Sequence, residues 1–127
     1  MSVRILAGFV LAGILAGCTS IPAIEHASSP EKLKTFSTQA LCDAYGHSNQ
    51  ARLLDELRGR GQFSDQDLEA IGAHAMRVGM TDKAAQCSWG TDYAVFKVAG
   101  GDSVRWVYLL KTSTLFVDNG AVTGFQN

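Results

Sequence analysis

The sequence predicts an α+β domain in which N-terminal helices pack on a three-stranded antiparallel β-meander. Three observations carry that expectation. Between residues 32 and 89, apolar residues recur at helical spacing in segments bounded by Ser, Thr and Gly. From Thr91 onward they fall instead in short β-branched and aromatic runs. Between two of those runs stands Asn119-Gly120, a strong hairpin signal because both turn positions need positive φ.

The elements follow in order. A first helix is expected from about Lys32 to Tyr45, with Leu33, Phe36, Ala40, Leu41 and Ala44 on one face and Gly46 as its stop. A second runs from about Asn49 to Arg58 on Leu53, Leu54 and Leu57, with Glu56 and Arg60 spaced for a modest surface pair. Gly59 and Gly61 break it. Ser64 caps a third helix carrying Leu68, Ile71 and Ala75, and Asp65 and Asp67 suit its positive first turn. Thr81 caps a short helix from Asp82 to Trp89, which Gly90 ends. Strands are expected at Val104 to Leu110, Thr114 to Val117 and Ala121 to Phe125, and an extra edge strand near Tyr93, Val95 and Phe96 is left open.

The first eighteen residues have a different character. Arg4 precedes an apolar run from Ile5 to Leu15, too short for a membrane-spanning helix, which needs about 20 residues. A positive start, a short apolar run and small residues make an export signal. Leu15-Ala16-Gly17-Cys18 resembles the lipobox of bacterial lipoproteins. That resemblance implies a diacylglycerol joined to the Cys18 thiol by a thioether, cleavage before Cys18 and acylation of the new amine, palmitate included. An ordinary secretory signal with a coincidental cysteine is the alternative. The organisation expected is therefore a signal peptide at 1–17, a lipid-anchored flexible tether at 18–31, a helical region at 32–78, and a helix plus sheet at 79–127 that completes one domain.

Charge and cysteines narrow the class. The chain has 11 basic and 12 acidic residues. Loss of Arg4 with the signal leaves the mature chain weakly acidic, which argues against nucleic acid. Membrane attachment would then rest on lipid rather than on charge. With Cys18 acylated, Cys42 and Cys87 have one intramolecular pairing, and export favours their disulfide. Free thiols or a metal site including His47 are the alternative, but no CxxC or HxxxH spacing supports a metal. No cofactor is implied. The histidines at 26, 47 and 74 are scattered, and no hydrolase, metalloprotease, P-loop or dinucleotide motif is present.

The last strands are apolar on both sides. Hairpin pairing of Val117 with Val122, Phe116 with Thr123 and Thr114 with Phe125 puts Leu115, Val117 and Val122 on one face and Phe116 and Phe125 on the other. A sheet covered on one side should alternate apolar with polar. Either the N-terminal helices cover the second face or it receives a partner. Trp106, Phe116 and Phe125 are the candidate partner anchors.

Gly79-Met80-Thr81, Cys87-Ser88-Trp89-Gly90, Trp106-Val107-Tyr108 and Leu115-Phe116-Val117-Asp118-Asn119-Gly120 occur in that order. In this the stretch from Gly79 to Asn127 is similar to the SmpA/OmlA (BamE-like) family of small bacterial lipoproteins. The resemblance implies a BamE-like helix and sheet, attachment to the outer membrane facing the periplasm, and a non-catalytic scaffolding or accessory role in outer-membrane assembly or maintenance. Asp92 stands where members commonly carry proline, and the preceding helical region is longer. The leucines from Leu54 to Ile71 resemble a SHOCT-type helical pair. A surface-anchored inhibitor or small-ligand binding module is the alternative function.

Overall fold

The computed structural model describes residues 21–27, 29–98, 101 and 103–127, apart from the side chain of Pro22. Cys18 and the signal segment lie outside the described residues. The fold is α+β, with six helices and a four-stranded antiparallel sheet among the described residues.

The segment expected as a tether is folded where it is described. Helix α1 (Ile21–Glu25) and helix α2 (Pro30–Leu33) bury Ile24, Ala27 and Leu33 in the core. Pro30 lies at the start of α2, where a missing N–H costs nothing and the fixed φ is already helical. Ser29 caps α2 by accepting from the Lys32 N–H.

The expected first helix is split. Ser37 accepts a hydrogen bond from the Ala40 N–H and starts helix α3 (Thr38–Ser48), so residues 34–37 connect α2 to α3 instead of continuing a helix. Asn49 ends α3 in the left-handed region at φ 56°, its N–H reaching the Tyr45 carbonyl; Gly46 lies within the helix. Helix α4 (Ala51–Gly59) buries Leu53 and Leu57. Helix α5 (Asp65–Gly72) starts on the Ser64 cap. A Cβ on Gly72 would sit 3.2 Å from Leu54 Cδ2, and its carbonyl accepts from the Tyr45 hydroxyl, so this glycine admits a close approach. Helix α6 (Asp82–Trp89) has the expected Thr81 cap and stops at Gly90, φ 93°.

Two arginines of the α4 segment fasten the N-terminal helices. Arg52 donates to the carbonyls of Ile24, Glu25 and Ala27, closing the end of α1. Arg60 donates to the carbonyls of Leu33 and Phe36 and to Thr38 Oγ1, and pairs with Glu56 at 3.3 Å. The Glu56–Arg60 pair is thus a half-buried clamp rather than a surface pair.

The sheet is an ordered meander of β1 (Ala94–Lys97), β2 (Val104–Tyr108), β3 (Ser113–Asp118) and β4 (Ala121–Gln126). Strand β2 ends earlier than expected, and Leu109 and Leu110 project from the following turn, 74% and 84% exposed. Asn119 and Gly120 have φ of 50° and 75°, as a primed hairpin turn requires. The disulfide Cys42–Cys87 joins α3 to α6, with a Cα separation of 4.8 Å.

Candidate interaction surface

Strand pairing sorts the sheet residues into two faces with different fates. Partners Trp106–Leu115, Val104–Val117 and Val117–Val122 share the inner face, joined by Tyr108. Trp106, Tyr108, Leu115, Val117 and Val122 are all at most 5% exposed. An aromatic cluster ties this face to α6. Tyr93 stacks on Trp106 with centroids 4.3 Å apart, and Trp89 meets Tyr108 and Phe125 edge-on. Gln86 Nε2 donates to the Tyr93 hydroxyl, and the Tyr108 hydroxyl donates to the Gly90 carbonyl. Burial pushes the Tyr108 hydroxyl well above the usual tyrosine range, with Tyr93 adding to the effect. Tyr93 is raised as well, first by burial and then by Asp82, against the opposing bond from Gln86.

The outer face is built from Ala94–Val107–Thr114–Gln126 and Phe96–Arg105–Phe116–Gly124. No residue of this face is buried. Phe96 is 54% exposed, and the Arg105 guanidinium lies 5.3 Å from the centre of the Phe116 ring. The helices therefore cover one face only, and the second apolar face is open.

The three candidate anchors separate. Trp106 belongs to the core and is not an exposed anchor. Phe116 is half-buried on the outer face. Phe125 is the correction of register: β4 carries one extra residue at Thr123, so Phe116 faces Gly124, Leu115 faces Phe125 and Thr114 faces Gln126. That bulge turns Phe125 to the inner side, where it packs on Trp89 at the rim, 37% exposed. The Val117–Val122 pairing nearest the turn stands as expected.

Phe96 and Arg105 complete the outer face and were not singled out from sequence. Their signal is register: once β1 pairs with β2, Phe96 falls opposite Arg105. Asp67, read as a helix-dipole residue, has a further role. Its side chain is buried, pairs with Arg77 and lies 3.5 Å from the Thr81 N–H, holding α5 to the junction before α6. The histidines do not converge. His47 pairs with Glu25 at 2.7 Å and His74 bonds Asn49. Among the described residues no group of three His, Cys, Asp or Glu could hold a metal, and no helix is long and apolar enough to cross a membrane.

A cleft of about 650 Å³ opens where α3 and α6 meet the far end of the sheet. The disulfide, Trp89 and Phe125 give it apolar walls; Asp43, His74 and Lys111 give it polar ones. No family model, curated protein or solved structure matches the chain.

Proposed function

We propose that the chain is a lipid-anchored envelope protein, acylated at Cys18, that serves as a non-catalytic scaffold in outer-membrane assembly or maintenance, as its resemblance to the SmpA/OmlA (BamE-like) family suggests. Its domain faces the periplasm and binds a protein partner through the outer sheet face. The observation that carries this reading is the uncovered face of Phe96, Val107 and Phe116 on a sheet whose other face buries Trp106, Tyr108, Leu115, Val117 and Val122. With the lipid on Cys18, only Thr19 and Ser20 separate the anchor from α1. Three residues of chain reach at most about 10 Å, so α1 is held close to the bilayer.

Two measurements test the reading. Mass spectrometry of the native protein is expected to find acylated Cys18 as its first residue; cleavage elsewhere with a free Cys18 thiol overturns the anchor. A photo-crosslinking residue in place of Phe116 is expected to give an adduct with an outer-membrane assembly protein in intact cells, and one in place of exposed Glu69 is expected to give none. Equal labelling from both positions, or none from Phe116, overturns the surface. The 650 Å³ cleft favours the second reading, a small-ligand binding module, since its mixed lining suits a compact ligand. Ligand-dependent quenching of Trp89 would select that reading.

A further inference from the structure

The two edges of the sheet are treated differently. The β4 edge is covered at its start: the Val122 N–H donates to the Met80 carbonyl, while the Gly79 and Asp82 N–H groups donate to the Val122 and Gly120 carbonyls. The β1 edge is not. Just past β1 the Val98 N–H donates to the Ser103 carbonyl. Antiparallel alternation then turns the backbone groups of Ala94 and Phe96 toward β2 and those of Val95 and Lys97 outward. Among the described residues, no backbone bond outside the ladder uses Val95 or Lys97.

Side chains add chemistry to this free edge. Val95 is 57% exposed and Phe96 54%. A groove of about 580 Å³ beside the strand is lined by Phe96, Lys97, Val98, Arg105 and Val107. Its charged members are both cations, and among the described residues neither Lys97 nor Arg105 has a carboxylate within 4.0 Å. Exposed strand edges pair with extended segments, through main-chain bonds for affinity and alternate side-chain contacts for specificity.

We propose that a partner protein adds an extended acidic strand to the β1 edge, laying an apolar side chain on Phe96 on the outer face and a carboxylate against Lys97 on the other, with the Arg105 guanidinium adding positive field. This rests on the outer face being an interaction surface and names the partner's chemistry. Val95 and Lys97 supply the outward main-chain bonds. The two cations select an acidic segment over a basic one, with a salt dependence that direct charge contact imposes.

The test uses the purified mature protein in detergent, with a synthetic peptide alternating glutamate and valine and its lysine counterpart. The glutamate peptide is expected to bind at least about tenfold tighter, and to weaken as salt rises. Val95→Pro removes an outward N–H while leaving the β1–β2 ladder intact, and is expected to abolish binding without lowering the melting temperature. Arg105→Glu with Lys97→Glu is expected to reverse the preference. Equal affinity for both peptides, or full affinity in Val95→Pro, overturns the proposal. So does concentration-dependent dimerisation blocked by Val95→Pro, which would assign the edge to a second copy. The assay needs neither a bilayer nor cells, so its failure leaves the in-cell adduct from Phe116 standing as a separate result.

Discussion

The docking of α1 depends on Arg52, and Arg52→Met separates that fastening from the burial of apolar surface. The substitution keeps much of the side chain's apolar stem and removes the donors to the Ile24, Glu25 and Ala27 carbonyls. A hydrogen bond from a charged donor contributes about 1.5–3 kcal/mol net. The freed carbonyls lie at a helix end and can turn to water, so the loss is about 2–3 kcal/mol rather than three full bonds. Burial of Ile24, the fully buried side chain of α1, contributes a similar ~3 kcal/mol. Loss of the clamp should therefore release residues 21–27 locally while the disulfide-linked core stays folded. Hydrogen exchange reads this at the Ala27 amide, which is bonded to the Ile24 carbonyl at 3.1 Å. Its exchange should accelerate roughly 30- to 150-fold in Arg52→Met, and Arg58→Met, on an exposed pair, should leave it unchanged. Unchanged protection in Arg52→Met would refute the reasoning and return the fastening to packing alone.

Three further outcomes are expected. Cys42→Ser with Cys87→Ser should cost about 4 kcal/mol in urea denaturation, because the bridge closes a loop across a separation of 45 residues; a loss below about 1 kcal/mol contradicts the chain-entropy account. Trp106→Ala should cost about 3–5 kcal/mol as a core truncation, whereas Phe116→Ala should cost roughly 1 kcal/mol because one side of its ring is already in water; calorimetry reporting equal losses would erase the distinction between the faces. For alkaline stability, folding raises Tyr108 above its ordinary 10.0, so the unfolded chain gives up the proton first. Its contribution is intact below about pH 10 and is lost as pH rises through and beyond that value. Tyr108→Phe should cost about 1 kcal/mol at neutral pH for the bond to Gly90, yet flatten the alkaline decline; an unchanged slope refutes the assignment.

Local chemistry was legible in the sequence where one residue type decides the outcome. Ser64 and Thr81 cap the expected helices, Asn119-Gly120 makes the expected turn, and Cys42 and Cys87 pair. What escaped depends on contacts distant in sequence. Five residues from Ile21 to Glu25 are too few to display helical periodicity, and α1 persists because Arg52 and the core hold it. Asp67 is interpretable only once Arg77 is beside it. The register of β3 and β4 was readable near the turn and lost beyond Thr123, because a single bulged residue reverses the face of every later side chain. That one residue separates Phe125 from Phe116 and changes which aromatics a partner can reach.

The open face follows from how the rest of the apolar surface is used. α6 and its aromatic neighbours take the inner side of the sheet. The strand-like stretch before α6 takes the start of the β4 edge. The two clamps of the α4 segment draw α1 and α2 onto the helical layer, away from any role as a loose cover. Apart from Val78 and the turn leucines Leu109 and Leu110, the exposed apolar side chains of the described residues lie mainly on the outer face and the adjoining β1 edge, continuous through Phe96. Lys97 and the short length of β1 limit indiscriminate pairing at that edge, while the exposed phenyl ring and Arg105 give an acidic strand something to recognise. On the proposed strand addition, the same features that restrain aggregation restrict the edge to a complementary partner, and specificity there comes from charge as much as from apolar area.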